Sequence, residues 1–177
     1  DPATANKMGL ESQIKNTGTI SADGGKVILN AQAMDGLFEK AISLEKHGNA
    51  VSAVIADNGV VEFQSMDDIY NEALVQARGG EVKIEASQGG FTNAGTIDAQ
   101  NGWIEVNVAD DIMNEALIKA SNGEIFLTSQ TAGISNPGTL DAVDGSIEMA
   151  AAGDIETMGN LTAAYLRERA AAFRIGG

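Results

Sequence analysis

The sequence has no cysteine, only two prolines and a single histidine, and aromatic residues make up 5% of it. Without cysteine, a disulfide scaffold is excluded. With so few aromatic rings, a globule packed around large side chains is disfavoured. No run of about 18 apolar residues occurs, so the sequence predicts no transmembrane helix. Glycine, in contrast, occurs 21 times among many small aliphatic residues. This composition favours a thin core that is built from small residues in layers.

The charge balance is strongly acidic. Asp and Glu number 25 against 11 Lys and Arg, which gives a formal net charge of -14. Such a charge repels nucleic acids and anionic membranes, so we expect neither nucleic-acid binding nor membrane insertion. A solvated acidic surface is favoured over specific metal binding.

An internal repeat dominates the sequence. The pattern is I-x-N-x-G/A-x-I-x-A, then a glycine, then V-x-L-x-A. A degenerate copy over 48–65 carries Gly59 at the expected place, and from this copy onward successive copies lie 21 or 22 residues apart. The first copy begins 34 residues before the degenerate one, so it carries an insertion. Clear copies begin at Ile14, Ile69, Phe91, Ile112 and Ile134, with a partial one at Ile155. The sequence therefore predicts about seven coils of 21–22 residues.

The apolar residues within each copy alternate with a period of two, which is typical of strands. A period near 21 is too short for a helix-pair repeat, and the leucine and asparagine pattern of leucine-rich repeats is missing. We therefore predict an all-β fold, a parallel β-helix with one coil per repeat. Stacked coils lie about 4.8 Å apart, and their stability depends on contacts between neighbouring coils.

Two columns of identical residues are expected to be structural. Stacked asparagines can hydrogen-bond along the axis, with the column interrupted at Ala50 and ending at Thr157. Glycines recur at one corner, where either a positive φ or a crowded backbone excludes a side chain. The predicted asparagine ladder comprises Asn16, Asn71, Asn93, Asn114 and Asn136. The predicted turn glycines are Gly25, Gly59, Gly80, Gly102, Gly123 and Gly145.

Acidic pairs precede every second coil, at Asp67–Asp68 and at Asp110–Asp111. Equivalent pairs lie two coils apart, about 10 Å, which is too far for one calcium ion to bridge. A local pair is the remaining candidate for calcium. Solvated corner acids are the favoured interpretation, and we expect no cofactor.

Candidate contact residues lie on the outward positions and at the C-terminus. Trp103 and Phe126 fall at outward positions, where they can stack on a sugar ring; packing beneath another segment is favoured. In the C-terminal stretch, apolar and basic residues are interleaved. The predicted interface residues there are Leu166, Arg167, Arg169, Phe173 and Arg174.

Two segments depart from the strand pattern and predict helices. Residues 34–47 have apolar residues at helical spacing and are followed by Gly48, a helix stop. Residues 162–177 are rich in alanine and form an apolar stripe, which predicts an amphipathic helix that caps the open end. The predicted organisation is an N-terminal segment (1–13), a β-helix (14–161) with the helical insertion (34–47), and this C-terminal helix (162–177).

The stretch NTGTISADGGKVILNAQAMDGLFEKAI, over 16–42, resembles filamentous-haemagglutinin-like exoproteins of two-partner secretion. Those proteins repeat N-x-G-x-I-x-A-x-G-G-x-V-x-L, and the coils NAGTIDAQNG and NPGTLDAVDG repeat the phrase. The resemblance implies a right-handed β-helix, export by a Gram-negative bacterium and a role in adhesion, aggregation or matrix. The family's secretion domain is not recognisable in this sequence.

The functional prediction is a non-enzymatic adhesive or structural β-helix at the cell surface or outside the cell. Its expected partners are further copies of the chain, host or neighbouring cells, or polysaccharide. End-to-end assembly into filaments is one version of this hypothesis. The alternative is a carbohydrate-active β-helix that binds polysaccharide or cleaves it as a lyase, for which Arg78 and Lys83 are the candidate bases.

Overall fold

The computed structural model describes residues 12–31, 40–46 and 52–176, and within these ranges every regular element is a strand. The strands form a parallel β-solenoid, which confirms the predicted fold. It makes about six turns with a spacing of about 22 residues, against the seven or so coils predicted. The last strand belongs to a coil that is incomplete within the described residues.

One side of the solenoid is a parallel sheet of eight strands, which we call the ladder sheet because it carries the asparagine column. Each of its strands comes from a successive coil, and each strand other than the first and the last pairs with the coils before and after it. In stacking order the strands are β1 (Ser12–Asn16), β4 (Lys40–Leu44), β7 (Ile69–Asn71), β10 (Phe91–Asn93), β13 (Ile112–Asn114), β16 (Ile134–Asn136), β18 (Ile155–Thr157) and β20 (Phe173–Ile175).

The other sheet has two arms separated by a corner. The short arm holds β2 (Thr19–Ser21), β5 (Ala53–Ile55), β8 (Leu74–Gln76), β11 (Thr96–Asp98) and β14 (Leu117–Lys119). The long arm holds β3 (Lys26–Ala31), β6 (Val60–Ser65), β9 (Glu81–Ala86), β12 (Trp103–Val108) and β15 (Glu124–Ser129). Two longer strands, β17 (Thr139–Ala151) and β19 (Asn160–Arg169), run through both arms.

The core consists of columns of aliphatic side chains, one residue per coil. On the long arm, Val82, Ile104, Ile125 and Ile147 lie in register and are almost fully buried. Burial of each such side chain contributes about 1.5–3 kcal/mol relative to exposure. Because every side chain packs against its equivalents in adjacent coils, the repeat in the sequence translates directly into the stacking of the core.

The second coil differs from the prediction. Residues 40–44, assigned to the helical insertion 34–47, form strand β4 instead, and residues 45 and 46 follow it without regular structure. Residues 34–39 and 47 lie outside the described residues. Ile42 pairs with Ile14 on one side and Ile69 on the other, so it continues an apolar column of the core. The interruption of the asparagine column is therefore at Leu44, and the predicted position, Ala50, also lies outside the described residues.

The predicted C-terminal helix over 162–177 is wrong. Its residues form the end of β19 and all of β20. Two residues of the apolar stripe that suggested a helix, Ala163 and Leu166, pair with Ala142 and Ile147 of the preceding coil. They therefore extend two columns of the core. A register shift between the two strands, after Ala142, accommodates the change of spacing. Pairing with the edge of β17 has overridden the helix propensity of the alanine-rich sequence.

Candidate functional site

The asparagine column forms a continuous hydrogen-bonded ladder through the middle coils. Asn71 donates from Nδ2 to Oδ1 of Asn93 at 2.8 Å, and Asn93 donates to Asn114 at 2.9 Å. Asn114 donates in turn to Asn136 at 2.7 Å, and all four side chains are buried. Oδ1 of Asn71 also accepts the backbone N–H of Ala73 at 3.1 Å, so this side chain fixes the turn after its strand as well. This arrangement holds the coils in register.

The ladder ends differently on its two sides. Asn16, the fifth predicted member, is separated from the others by Leu44 and makes only a local turn with Gly18. At the other end, Asn136 lies opposite Thr157. Asn136 Nδ2 and Thr157 Oγ1 are both buried and have no hydrogen-bond partner among the described residues. A buried donor without an acceptor costs about 1–3 kcal/mol, so this end of the ladder is unsatisfied.

Crowding, and not a positive φ, explains the turn glycines. A Cβ on Gly102 would overlap the carbonyl oxygen of Gly80 in the coil below, and the same holds from Gly59 to Gly145. That carbonyl accepts the N–H of Trp103 at 3.1 Å, so it cannot move aside without breaking a bond between coils. Gly25 is the exception, because no coil lies beneath it in the described part of the chain.

The residue before each turn glycine has a positive φ, which was not predicted from the sequence. The φ angles there lie between 56° and 70°. The residues are Gly24, Asn58, Gly79, Asn101, Asn122 and Asp144. Glycine and asparagine tolerate this conformation best, and aspartate also adopts it. The signal was present as the recurring Asn-Gly, Gly-Gly and Asp-Gly pairs.

The alternation of acidic and glycine-containing corners also has a structural explanation. The Asp68 carboxylate accepts the backbone N–H of Gly90 at 2.7 Å, and Asp111 accepts that of Gly133 at 2.9 Å. Each acid thus fixes the corner of the next coil.

The neighbouring acids Asp67 and Asp110 use their backbone carbonyls to accept serine hydroxyls. Across the described ranges no three potential metal ligands come together. Calcium binding at Asp67, Asp68, Asp110 and Asp111 stays a hypothesis.

The two outward aromatic residues lie on adjacent coils of the long arm. Trp103 stands between Glu81 and Glu124 in its column and is 45% exposed. Phe126, one coil further on, stands between Glu105 and Glu148 and is partly buried. Both rings are therefore framed by carboxylates on an acidic face.

The predicted interface residues at the C-terminus are divided between the two sheets. On β19, Leu166 is 43% exposed, Arg167 lies 3.9 Å from Glu148, and Arg169 is exposed. On β20, Phe173 is in register with Ile155 and Arg174 is in register with Glu156. These residues therefore do not form the single helical surface that the sequence suggested.

Glu168 is a candidate site residue that the sequence pattern did not single out. It pairs with Met149 and so occupies an inward position, where the preceding coils have Leu127 and Val106. Its Oε1 is buried and has no hydrogen-bond partner within the described ranges. Burial raises the pKa of the Glu168 carboxyl above its ordinary value of 4.5. The surrounding stretch reads as an alanine-rich helix, which concealed the inward position of this acid.

Electrostatic pairs link the first two coils. Lys26 of β3 and Glu62 of β6 lie 2.5 Å apart, and this hydrogen bond lowers the pKa of Glu62 despite the opposing effect of burial. Burial raises the pKa of Tyr70, and the negative charges of nearby glutamates raise it further.

Both candidate bases are engaged in ion pairs. Arg78 is paired with Asp98 at 2.7 Å, and Lys83 is paired with Glu81 at 2.6 Å.

No family model, curated protein or solved structure matches the chain. The likeness to filamentous-haemagglutinin-like exoproteins thus depends on the coil motif itself. In the part of the chain that the structure describes, no helix is long and apolar enough to cross a membrane.

Proposed function

We propose that this chain is a non-enzymatic structural β-solenoid of the cell surface or extracellular space, a segment of an adhesin or fibre that assembles end to end. Its partners are further copies of the chain, and through them a neighbouring cell or a polysaccharide matrix. The motif shared with filamentous-haemagglutinin-like exoproteins supports this location and role. The formal charge of -14 makes nucleic acids and anionic membranes unsuitable partners.

One observation carries the proposal: the last long strand presents an open edge. Within the described ranges β19 pairs only with β17, so the backbone groups along its other edge have no strand partner there. Its inward residue Leu166 is 43% exposed, whereas its counterpart in the preceding coil, Ile147, is 1% exposed. An unpaired edge with apolar residues is a template for pairing with another chain.

The experiment measures assembly of the purified chain directly. Sedimentation velocity and negative-stain electron microscopy, between about pH 5 and about pH 8, should reveal rods or filaments that grow with concentration. Leu166→Lys places a charge in the open end and should abolish them. Tyr165→Lys adds the same charge at an outward position that is 77% exposed, and it should leave assembly intact. Monomers at every pH and concentration would contradict the proposal.

Polysaccharide binding is a second candidate, favoured by the exposure of Trp103. The same arm of the sheet borders a groove of about 430 Å³ that is lined by amide side chains, among them Gln64, Asn107 and Gln130. The groove lies at the other end of the arm from Trp103, so a sugar chain that runs along the strands would contact both the ring and the amides. Arg78 and Lys83, the candidate bases, are engaged in ion pairs with Asp98 and Glu81, which argues for binding over lyase chemistry.

Affinity electrophoresis against neutral and acidic polysaccharides tests this alternative. If a polysaccharide slows the migration of the parent chain, the Trp103→Ala variant should migrate without that retardation. Val143→Ala truncates another exposed apolar residue, 41% exposed on β17, and should not. Equal behaviour of the two variants and the parent chain would count against a site at Trp103.

A further inference from the structure

The last coil exposes the interior of the solenoid at its C-terminal end. We call the inward residues of β19, namely Leu161, Ala163, Leu166 and Glu168, the terminal face. Leu161 and Ala163 are only partly buried, although their counterparts Leu140 and Ala142 in the preceding coil are fully buried. The difference arises because no further coil covers the terminal face within the described residues. The face has the shape and spacing of a surface between coils.

Glu168 breaks the apolar character of this face. Its column continues below it through Met149, Leu127 and Val106, which are all buried and apolar. The acid therefore stands where a core side chain belongs. Glu168 as a whole is only partly buried at this end of the solenoid, and a covering coil would remove its remaining exposure to water.

We propose that the terminal face is the surface by which two copies of this chain associate, and that Glu168 prevents this association while it is ionised and permits it once it is protonated. The inference rests on the proposed end-to-end assembly and adds its regulation. The continuity of the core columns identifies a second copy as the occupant. A second copy supplies the same apolar columns at the same spacing, together with a strand edge that can pair with β19.

The cost of covering the ionised acid explains the control. An ionised carboxylate that is buried without a partner is strongly disfavoured, and such a group becomes protonated instead. Inward-facing charges are also a recognised protection of sheet edges against association. The neutral carboxyl carries a much smaller penalty, so the apolar contacts of Leu161 and Leu166 can then prevail.

Among the described residues, burial alone accounts for the raised pKa of Glu168, and no charge from the surrounding strands contributes to it. The inward residues of β17 and β18 at this level are Met149, Ile155 and Thr157, which do not titrate. The neighbouring charged residues stand at the alternate, outward positions of their strands. They are Arg167 and Arg169 on β19, Glu148 on β17, Glu156 on β18 and Arg174 on β20. Assembly should therefore follow the titration of Glu168 itself.

The direction of the pH effect follows from burial. Since burial raises the pKa of the Glu168 carboxyl above 4.5, the neutral form is populated at a pH where exposed carboxylates are still ionised. Association should strengthen as the pH falls through this raised value. If association raises the pKa of Glu168 by one further unit, protonation of Glu168 should increase the association constant about tenfold.

The test compares the parent chain with Glu168→Gln, Glu168→Met and the control Glu156→Gln by sedimentation velocity, with circular dichroism to verify the fold. Glu156 is outward and exposed on β18, so its variant loses the same charge elsewhere. At about pH 7.5, the two Glu168 variants should associate and the parent and control should stay dissociated. At about pH 5, the parent should associate as well.

The outcomes separate the two proposals. If parent and Glu168 variants associate equally at both pH values, the control by Glu168 is refuted while end-to-end assembly stands. If the Glu168 variants form only dimers, the filament is refuted and the control by Glu168 stands. If nothing associates under any condition, both proposals fail.

Discussion

The middle coils and the end coils carry the same repeat in different surroundings. Gly102 lies directly above the carbonyl of Gly80, whereas an added Cβ on Gly25 would meet nothing closer than the carbonyl of Ala22 at 3.2 Å. The side chain of Asn93 is bonded to coils on both sides, whereas the side chain of Asn16 bonds only to its own turn within the described residues. The same residue is therefore constrained in the middle and nearly free of constraint at the end, because the adjacent coil imposes the constraint.

Residues that depart from the repeat occur where a column of similar side chains stops. Leu44 and Thr157 stand at the two positions where the asparagine column stops, and Glu168 stands where an apolar column stops. In the middle coils such substitutions would break contacts on two sides. Leu44 does interrupt the column between two coils, those of Asn16 and Asn71. Glu168 meets a described coil on one side only, so a charge there can govern what the open end binds.

The largest expected effect concerns the turn glycines. Gly102→Ala should lower the free energy of unfolding by about 3 kcal/mol or more, because its methyl group would overlap a carbonyl that takes part in a hydrogen bond between coils. Gly25→Ala should cost under about 1 kcal/mol, since only its own turn must adjust. Urea unfolding followed by circular dichroism measures both. Equal losses would show that the coil below is not the source of the constraint.

A smaller difference is expected in the asparagine column. Asn93→Ala removes the acceptor of Asn71 and the donor to Asn114, both buried, and should cost about 1–3 kcal/mol. Asn16→Ala removes only a local bond in a partly exposed turn and should cost under about 1 kcal/mol. The same unfolding measurement compares them. A loss at Asn16 as large as that at Asn93 would contradict the view that bonding between coils dominates.

The fold was predictable from the sequence because each coil repeats the same local demands. The spacing of Ile69, Phe91 and Ile112 alone gives the register that the structure has. The asparagine column followed from the same spacing. The spacing did not show why each position requires its residue. Crowding at Gly102 and a positive φ at Asn101 become distinguishable only when the contacts with the adjacent coil are known.

The prediction failed where the repeat fades. Residues 162–177 have helical propensity and apolar spacing that a helix and a strand can both satisfy. These residues form a strand because Leu166 and its neighbours pair with the edge of β17. The inward position of Glu168 followed from that pairing and from the register shift after Ala142, neither of which is visible in single-sequence patterns.

The smallest expected effect is a gain, at the unsatisfied end of the ladder. Thr157→Asn should raise the free energy of unfolding by about 1 kcal/mol, because its Oδ1 would accept the buried Nδ2 of Asn136 and its own amide could donate to the carbonyl of Gly159. Asn71 makes the equivalent bond to Ala73 at 3.2 Å.

The control is Met158→Asn, which adds the same side chain at an adjacent position that is 57% exposed and should leave stability nearly unchanged. If Thr157→Asn destabilises the chain, the last coil does not hold its backbone close enough to extend the ladder. In that case the end coil would differ from the middle coils in backbone spacing, and not only in sequence.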